Sequence, residues 1–161
     1  MTTSPHAPSE CLFCRIVAGD EPAHIVWQDD HHVAFLSIFP NTEGITVVIP
    51  RAHHDSYAFA LEERVYLELA LAARKVGLLL DKAFDDVGRT AMVLEGFGVN
   101  HVHAKLIPLH GTGNLGTWKP IRSDINTTFD RYPGYVSSHD ACRVEDAKLA
   151  NVAKQIRCTM D

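Results

Sequence analysis

The 161-residue chain has the length of one domain, and 46% apolar against 22% charged residues is the balance of a globular protein that can bury a real core. A net charge of -5 with no Lys/Arg run argues against a nucleic-acid surface or a basic membrane anchor, and no apolar run approaches the roughly 20 residues of a membrane span. Ten histidines and four cysteines are the unusual content.

Residues 1–9 are rich in Ser, Pro and Ala and read as a flexible N-terminus; without a basic n-region or an apolar h-region they do not form a signal peptide. Cys11-Leu-Phe-Cys14 opens a short helical turn that Gly19-Asp20 and Pro22 close. A Cys-x-x-Cys pair suits a reducing compartment, so the expected location is the cytoplasm. The stretches 24–28 and 32–38 are rich in β-branched and aromatic residues with Asp29-Asp30 between them, which predicts a hairpin. A third strand over 45–49 is stopped by Pro50. Over 61–83 the period changes: Val65, Leu69, Ala72, Val76, Leu79 and Leu80 recur at three- and four-residue steps, the signature of a long amphipathic helix. Residues 90–94 form a fourth predicted strand, and Gly96 and Gly98 make a tight connection to a fifth that begins at His101. Gly111, Gly113 and Gly116 then punctuate a loop, and Leu149, Val152, Ala153 and Ile156 share one face of a second helix over 143–158. The prediction is an α+β domain with a five-stranded antiparallel sheet, a long helix and a C-terminal helix. Its core spans 10–111, and 112–161 is a C-terminal extension packed on the same domain.

The chemistry concentrates in His101-Val102-His103-Ala104-Lys105. On a strand, His101, His103, Lys105 and Ile107 share one face while Val102, Ala104 and Leu106 turn to the core. Groups that can each be cationic repel one another at that spacing, and Lys105 makes protonation of His103 harder. A neutral imidazole is what a nucleophile or a metal ligand requires. The alternative is an exposed strand face with chance histidines.

Cys11 and Cys14 have three readings from the residues alone: a redox pair, two small buried apolar residues, or half of a zinc site. The βαβ setting of a thioredoxin-type motif is missing. His53, just after the third strand, and His101 would complete a closed Cys₂His₂ site. Cys142 and Cys158 have no evident partners and read as structural. His110 reads as a solvated histidine, and the 111–116 loop as a loop. Arg51 and Arg122 are weak phosphate candidates.

Cys11-Leu-Phe-Cys-Arg-Ile-Val-Ala-Gly-Asp-Glu-Pro-Ala23, Val26-Trp-Gln-Asp-Asp30, Val33-Ala-Phe-Leu36, Val47-Val-Ile-Pro-Arg-Ala-His53 and His101-Val-His-Ala-Lys-Leu-Ile-Pro108 together resemble the histidine triad (HIT) superfamily over about residues 10–110. The resemblance implies an antiparallel sheet that dimerises into one continuous sheet. It also implies attack of a histidine on the α-phosphorus of a nucleotide, giving a nucleotidyl-imidazole that water resolves. His103 matches the nucleophile; Cys11, Cys14, His53 and His101 match a zinc site; Leu12, Phe13, Ile16, Phe35 and Ile38 match the apolar pocket for the base. The departures are Lys105 in place of the third histidine, Ile45 where a histidine is common, Ser37 in place of a ribose-binding acid, and Leu94 for an asparagine. The shortened 96–101 turn lacks the usual phosphate-binding pair, with Asn100 as a partial substitute. Two functions follow as expectations. One is a hydrolase or transferase of nucleoside phosphoramidates or dinucleoside polyphosphates, with His103 as nucleophile, Lys105 as phosphate clamp and zinc structural. The other is a non-catalytic nucleotide- or phosphate-binding protein. A zinc-dependent redox or structural role is a third. The expected partners are a small nucleotide-like molecule and a second copy of the chain, with neither nucleic acid nor membrane. Trp118 and Arg122 are conceivable contributors to a partner subunit's site.

Overall fold

A computed structural model describes residues 10–113, 118, 120, 128–132 and 142–160. The predicted flexible terminus 1–9, Gly116 and Arg122 lie outside them. In chain order the elements are α1 (Leu12–Ala18), β1 (Ile25–Gln28), β2 (His32–Leu36), β3 (Thr46–Pro50), a 3₁₀ turn (Ala58–Ala60), α2 (Glu63–Ala83), β4 (Thr90–Val93), β5 (Ala104–Pro108) and α3 (Asp146–Arg157). The five strands make one antiparallel sheet in the order β1-β2-β3-β5-β4. The expected fold class is the observed one. No helix among the described residues is long and apolar enough to cross a membrane.

The three-and-four spacing that predicted α2 is the face it buries: Leu69, Ala72, Ala73, Val76, Leu80 and Ala83 pack on the sheet. The four apolar residues expected on the last helix, Leu149, Val152, Ala153 and Ile156, are all buried in the same cluster. On the opposite face α1 covers β2 and β3 through Phe13, which packs with Val33, Phe35, Val47 and Ile49. Gly19 ends α1 in the left-handed region at φ 85°, where its N–H reaches the Ile16 carbonyl.

The predicted hairpin forms, with Asp29 at its turn accepting from the backbone N–H groups of His31 and His32. The fifth strand differs from its prediction at the start, for it begins at Ala104 rather than at His101. Opposite the lead-in stands Pro50, which has no N–H to continue the ladder. The Val102 N–H turns instead to the His54 carbonyl at 2.9 Å. Side-chain alternation survives: Val102, Ala104 and Leu106 sit in the α2 core, while His101 and His103 face Phe13.

Fully burying one large aliphatic side chain is worth roughly 1.5–3 kcal/mol, and deleting it also leaves a cavity. Leu80, with no exposed surface, is therefore expected to cost about 2–5 kcal/mol as Leu80→Ala in urea unfolding. Arg74→Ala, on the outer face of the same helix, is expected to change stability by less than about 0.5 kcal/mol. Equal costs would contradict this assignment of the helix faces.

Candidate active site and metal centre

Cys11 caps α1 in extended conformation and Cys14 lies one turn on, so the two thiols share the helix start. The loop after β3 brings His53, and the lead-in to β5 brings His101. The four ligand atoms lie within 4.8 Å of one another, the one such group among the described residues. Nδ1 of His101 is 3.6 Å from Sγ of both Cys11 and Cys14, and Nδ1 of His53 is 3.3 Å from Sγ of Cys14. Metal–sulfur and metal–nitrogen bonds of about 2.3 and 2.05 Å at a tetrahedral angle require an S···N edge of about 3.5 Å. These three S···N distances therefore suit a tetrahedral metal ion held by the four residues.

Tautomers agree with that geometry. Nε2 of His101 is 2.9 Å from the Pro50 carbonyl, which can only accept, so Nε2 carries the proton and Nδ1 offers its lone pair to the thiol side. Burial pushes the His101 pKa down to about 4, against the pull of the Pro50 carbonyl. Burial, reinforced by Cys11, pushes the Cys14 thiol up to about 11. A cation bound between them offsets the cost of forming thiolates there.

His103 is next on the same extended backbone. Its Nδ1 donates to the His101 carbonyl at 2.8 Å, which leaves Nε2 as the unprotonated nitrogen of the neutral ring. Burial lowers its pKa, and the Lys105 charge lowers it further, while the His101 carbonyl and Glu95 act the other way. The alternative of an exposed strand face does not hold. His101 has no exposed surface and His103 only 3%, because α1 lies across them and Phe13 packs edge-on to both rings at 5.8 and 5.4 Å.

His103 instead lines the end of a slot of about 280 Å³. All five apolar residues expected there, Leu12, Phe13, Ile16, Phe35 and Ile38, line it together with Lys105. Val47, Phe97 and Val99 extend the apolar wall, and Ser37 is on it too. Phe13 lines the slot and packs edge-on against Phe35 and against the rings of both His101 and His103.

Several expectations need correction. Asn100 is exposed and does not line the slot: its amide oxygen accepts from the Ser56 N–H and its nitrogen donates to Asp55, so it braces the turn. Arg51 is no phosphate ligand, since its guanidinium is tied to the Asp29 carbonyl and to Gln28. His110 is not simply solvated, for it pairs with Asp86 and the Glu43 carbonyl. Cys142 and Cys158 are exposed rather than built into the core. Trp118 is exposed. Lys105 does not stand alone: its ammonium is 3.4 Å from Glu95, whose other carboxylate oxygen accepts from the Tyr132 hydroxyl. Tyr132 stacks on Phe97. Glu95, Phe97 and Tyr132 were not anticipated. The signal for Glu95 was strand register, since Val93 faces Lys105 and a residue two further on is its diagonal neighbour.

A family model described as HIT domain matches residues 18–112. The chain belongs to the HIT family. Protein hit of Bacillus subtilis is 31% identical over 125 residues, covering 74% of this chain and 86% of that one. An uncharacterised HIT-like protein of Methanocaldococcus jannaschii is 34% identical over 120 residues, covering 70% and 90%. Among solved structures, a hypothetical histidine triad nucleotide-binding protein from Sulfolobus tokodaii aligns with TM-score 0.68 at 24% identity, over 92% of this chain and 91% of that one. A zinc-bound histidine triad family protein from Mycobacterium smegmatis aligns with TM-score 0.67 at 18% identity, over 95% and 94%. At these identities the two structures establish the HIT fold.

Elemental analysis of the purified chain is expected to find about one metal ion per chain, of a kind that accepts two thiolates and two imidazoles. Cys14→Ser and His53→Ala are expected to lose most of it. Metal content unchanged in both variants would rule this site out.

Proposed function

We propose that this HIT protein is a nucleotide hydrolase or nucleotidyl transferase acting on nucleoside phosphoramidates or dinucleoside polyphosphates. The observation that carries the proposal is the Nδ1–H of His103 held by the His101 carbonyl at the end of a base-sized apolar slot. A flat base occupies the slot, and its α-phosphorus comes to Nε2 of His103. The Nε2 lone pair forms a P–N bond as the bond from phosphorus to the leaving amine or phosphate breaks. Water then attacks the same phosphorus, Nε2 recovers its electron pair, and the nucleoside monophosphate leaves. Lys105 offers a point charge to a phosphate oxygen. Cys11, Cys14, His53 and His101 hold a zinc ion whose part is structural, fixing α1 and the backbone of His101. The zinc-bound and nucleotide-binding descriptions of the two similar structures support both assignments. The four free cysteines suit the cytoplasm. A homodimer joined along β4, an edge strand bearing exposed Met92, extends the sheet.

One observation favours a second reading, a non-catalytic nucleotide-binding protein. The third triad position holds a lysine already paired with Glu95, a poor arrangement for donating a proton to a leaving group.

Incubation with a panel of phosphoramidates and dinucleoside polyphosphates, followed by intact mass, separates the two. Turnover with a nucleotidyl adduct on His103 is the expected result. His103→Ala is expected to abolish the adduct and lower turnover by at least about a hundredfold, with nucleotide binding retained. Nucleotide binding without adduct or turnover in the wild type would establish the second reading instead.

A further inference from the structure

A second cavity, of about 270 Å³, borders the segment after β3 that carries His53. Three imidazoles, His31, His32 and His54, and two carboxylates, Asp30 and Glu68, line it. None of these residues belongs to the Cys₂His₂ cluster or to the slot. His32 is the fixed member. Its side chain is only 7% exposed, and its Nδ1 lies 3.4 Å from a carboxylate oxygen of Asp29. The backbone N–H groups of His31 and His32 donate to that same oxygen at 2.9 and 2.7 Å. Against the effect of burial, they hold the Asp29 carboxyl below its usual range. An ionised carboxylate can only accept, so the proton of the His32 ring sits on Nδ1 and the lone pair on Nε2. Burial keeps that ring neutral by lowering its pKa, while Asp29 pulls the other way. Nε2 has no hydrogen-bond partner among the described residues. No fully buried side-chain nitrogen among them lacks one, so Nε2 reaches the cavity surface.

An imidazole that gives one nitrogen to a carboxylate and offers the other is the arrangement that orients a metal ligand. The surroundings favour a cation over an anion. A neutral ring beside Asp30 and Glu68 has nothing to offer a phosphate. Arg51 also lines the cavity, but its guanidinium is tied to the Asp29 carbonyl and to Gln28. Glu68 is free to turn, for it is held by a surface ion pair with Arg64, whose side chain is 82% exposed, and such a pair is weak. The donor atoms are spread more widely than those of Cys11, Cys14, His53 and His101. An ion is therefore held first by His32, and His31, His54 and Glu68 swing in from positions open to solvent. We propose that this cavity is a second metal site, anchored by Nε2 of His32 and completed by His31, His54 and Glu68. Its occupant is an exchangeable divalent transition ion of the kind that prefers imidazole and carboxylate donors. The soft thiolates of the closed cluster select differently, so the chain holds two ions of different character. This site does not depend on the nucleotide reading.

The test is titration of the full chain, first loaded with zinc and desalted, with nickel(II), followed by calorimetry and by NMR of the histidine rings. Uptake of about one nickel ion per chain is expected, with the His32 ring among the first signals broadened by the paramagnetic ion. His32→Phe keeps the bulk of the ring and removes its nitrogens; it is expected to weaken nickel binding by at least about tenfold. Glu68→Gln and His31→Ala, at positions open to solvent, are each expected to weaken it by roughly threefold or more. Zinc content is expected to stay unchanged in all three variants. Nickel affinity that is unchanged in all three overturns the proposal, and so does broadening confined to other histidines. Absence of nickel uptake by the zinc-loaded wild type overturns it as well. Should His32→Phe not fold, unchanged affinity in both Glu68→Gln and His31→Ala is sufficient to overturn it.

Discussion

Every polar atom of His101 is committed, and the residue has no exposed surface. Its N–H donates to the Val99 carbonyl at 2.8 Å, its Nε2–H to the Pro50 carbonyl, and its Nδ1 faces the thiols of Cys11 and Cys14. Its own carbonyl takes the Nδ1–H of His103. A buried group so placed has one low-energy orientation, because turning the ring strands a polar atom without water to replace its partner. The metal cluster and the tautomer of His103 are consequently two ends of one rigid piece of backbone. A metal ion held by the four residues would tie that piece to α1, which also supplies Phe13 to the slot wall.

The same constraint separates the two chemistries that the clustered histidines make possible. Adjacent imidazoles compete for one ion unless their lone pairs point apart. Here His101 presents Nδ1 to the thiols, whereas His103 has Nδ1 engaged and keeps Nε2. With Phe13 edge-on to both rings, an ion in the cluster and a ligand in the slot occupy different compartments. The polarity of the slot is equally divided. Apolar side chains of α1, β2 and the loop after β4 make most of the walls, with Lys105 beside His103 and Glu21 as the charged residues of the lining.

What the sequence made legible was whatever repeats with a period. Alternation assigned Val102, Ala104 and Leu106 to the core, and three-and-four spacing assigned the buried faces of α2 and α3. Family motifs brought in the slot residues and the metal ligands, and the folded chain places both groups together. What escaped was set by backbone partners that carry no side-chain signature. Arg51 looked available until the Asp29 carbonyl claimed it, and Asn100 until Ser56 and Asp55 did. His101 and His103 looked exposed because α1 has no periodic link to the strand that it covers. Glu95 reaches Lys105 through strand register and Tyr132 reaches Glu95 from a distant segment, neither of which local spacing reports.

The central claim is that the fold delivers His103 as a neutral imidazole protonated on Nδ1. Nitrogen-15 NMR of the histidine rings in the metal-loaded protein measures this directly, with His103 identified by its loss in His103→Ala. The account predicts a single Nδ1–H tautomer with an unprotonated Nε2 at neutral pH, which takes up a proton only below the ordinary imidazole range. An Nε2–H tautomer, or a ring that protonates above that range, would contradict it.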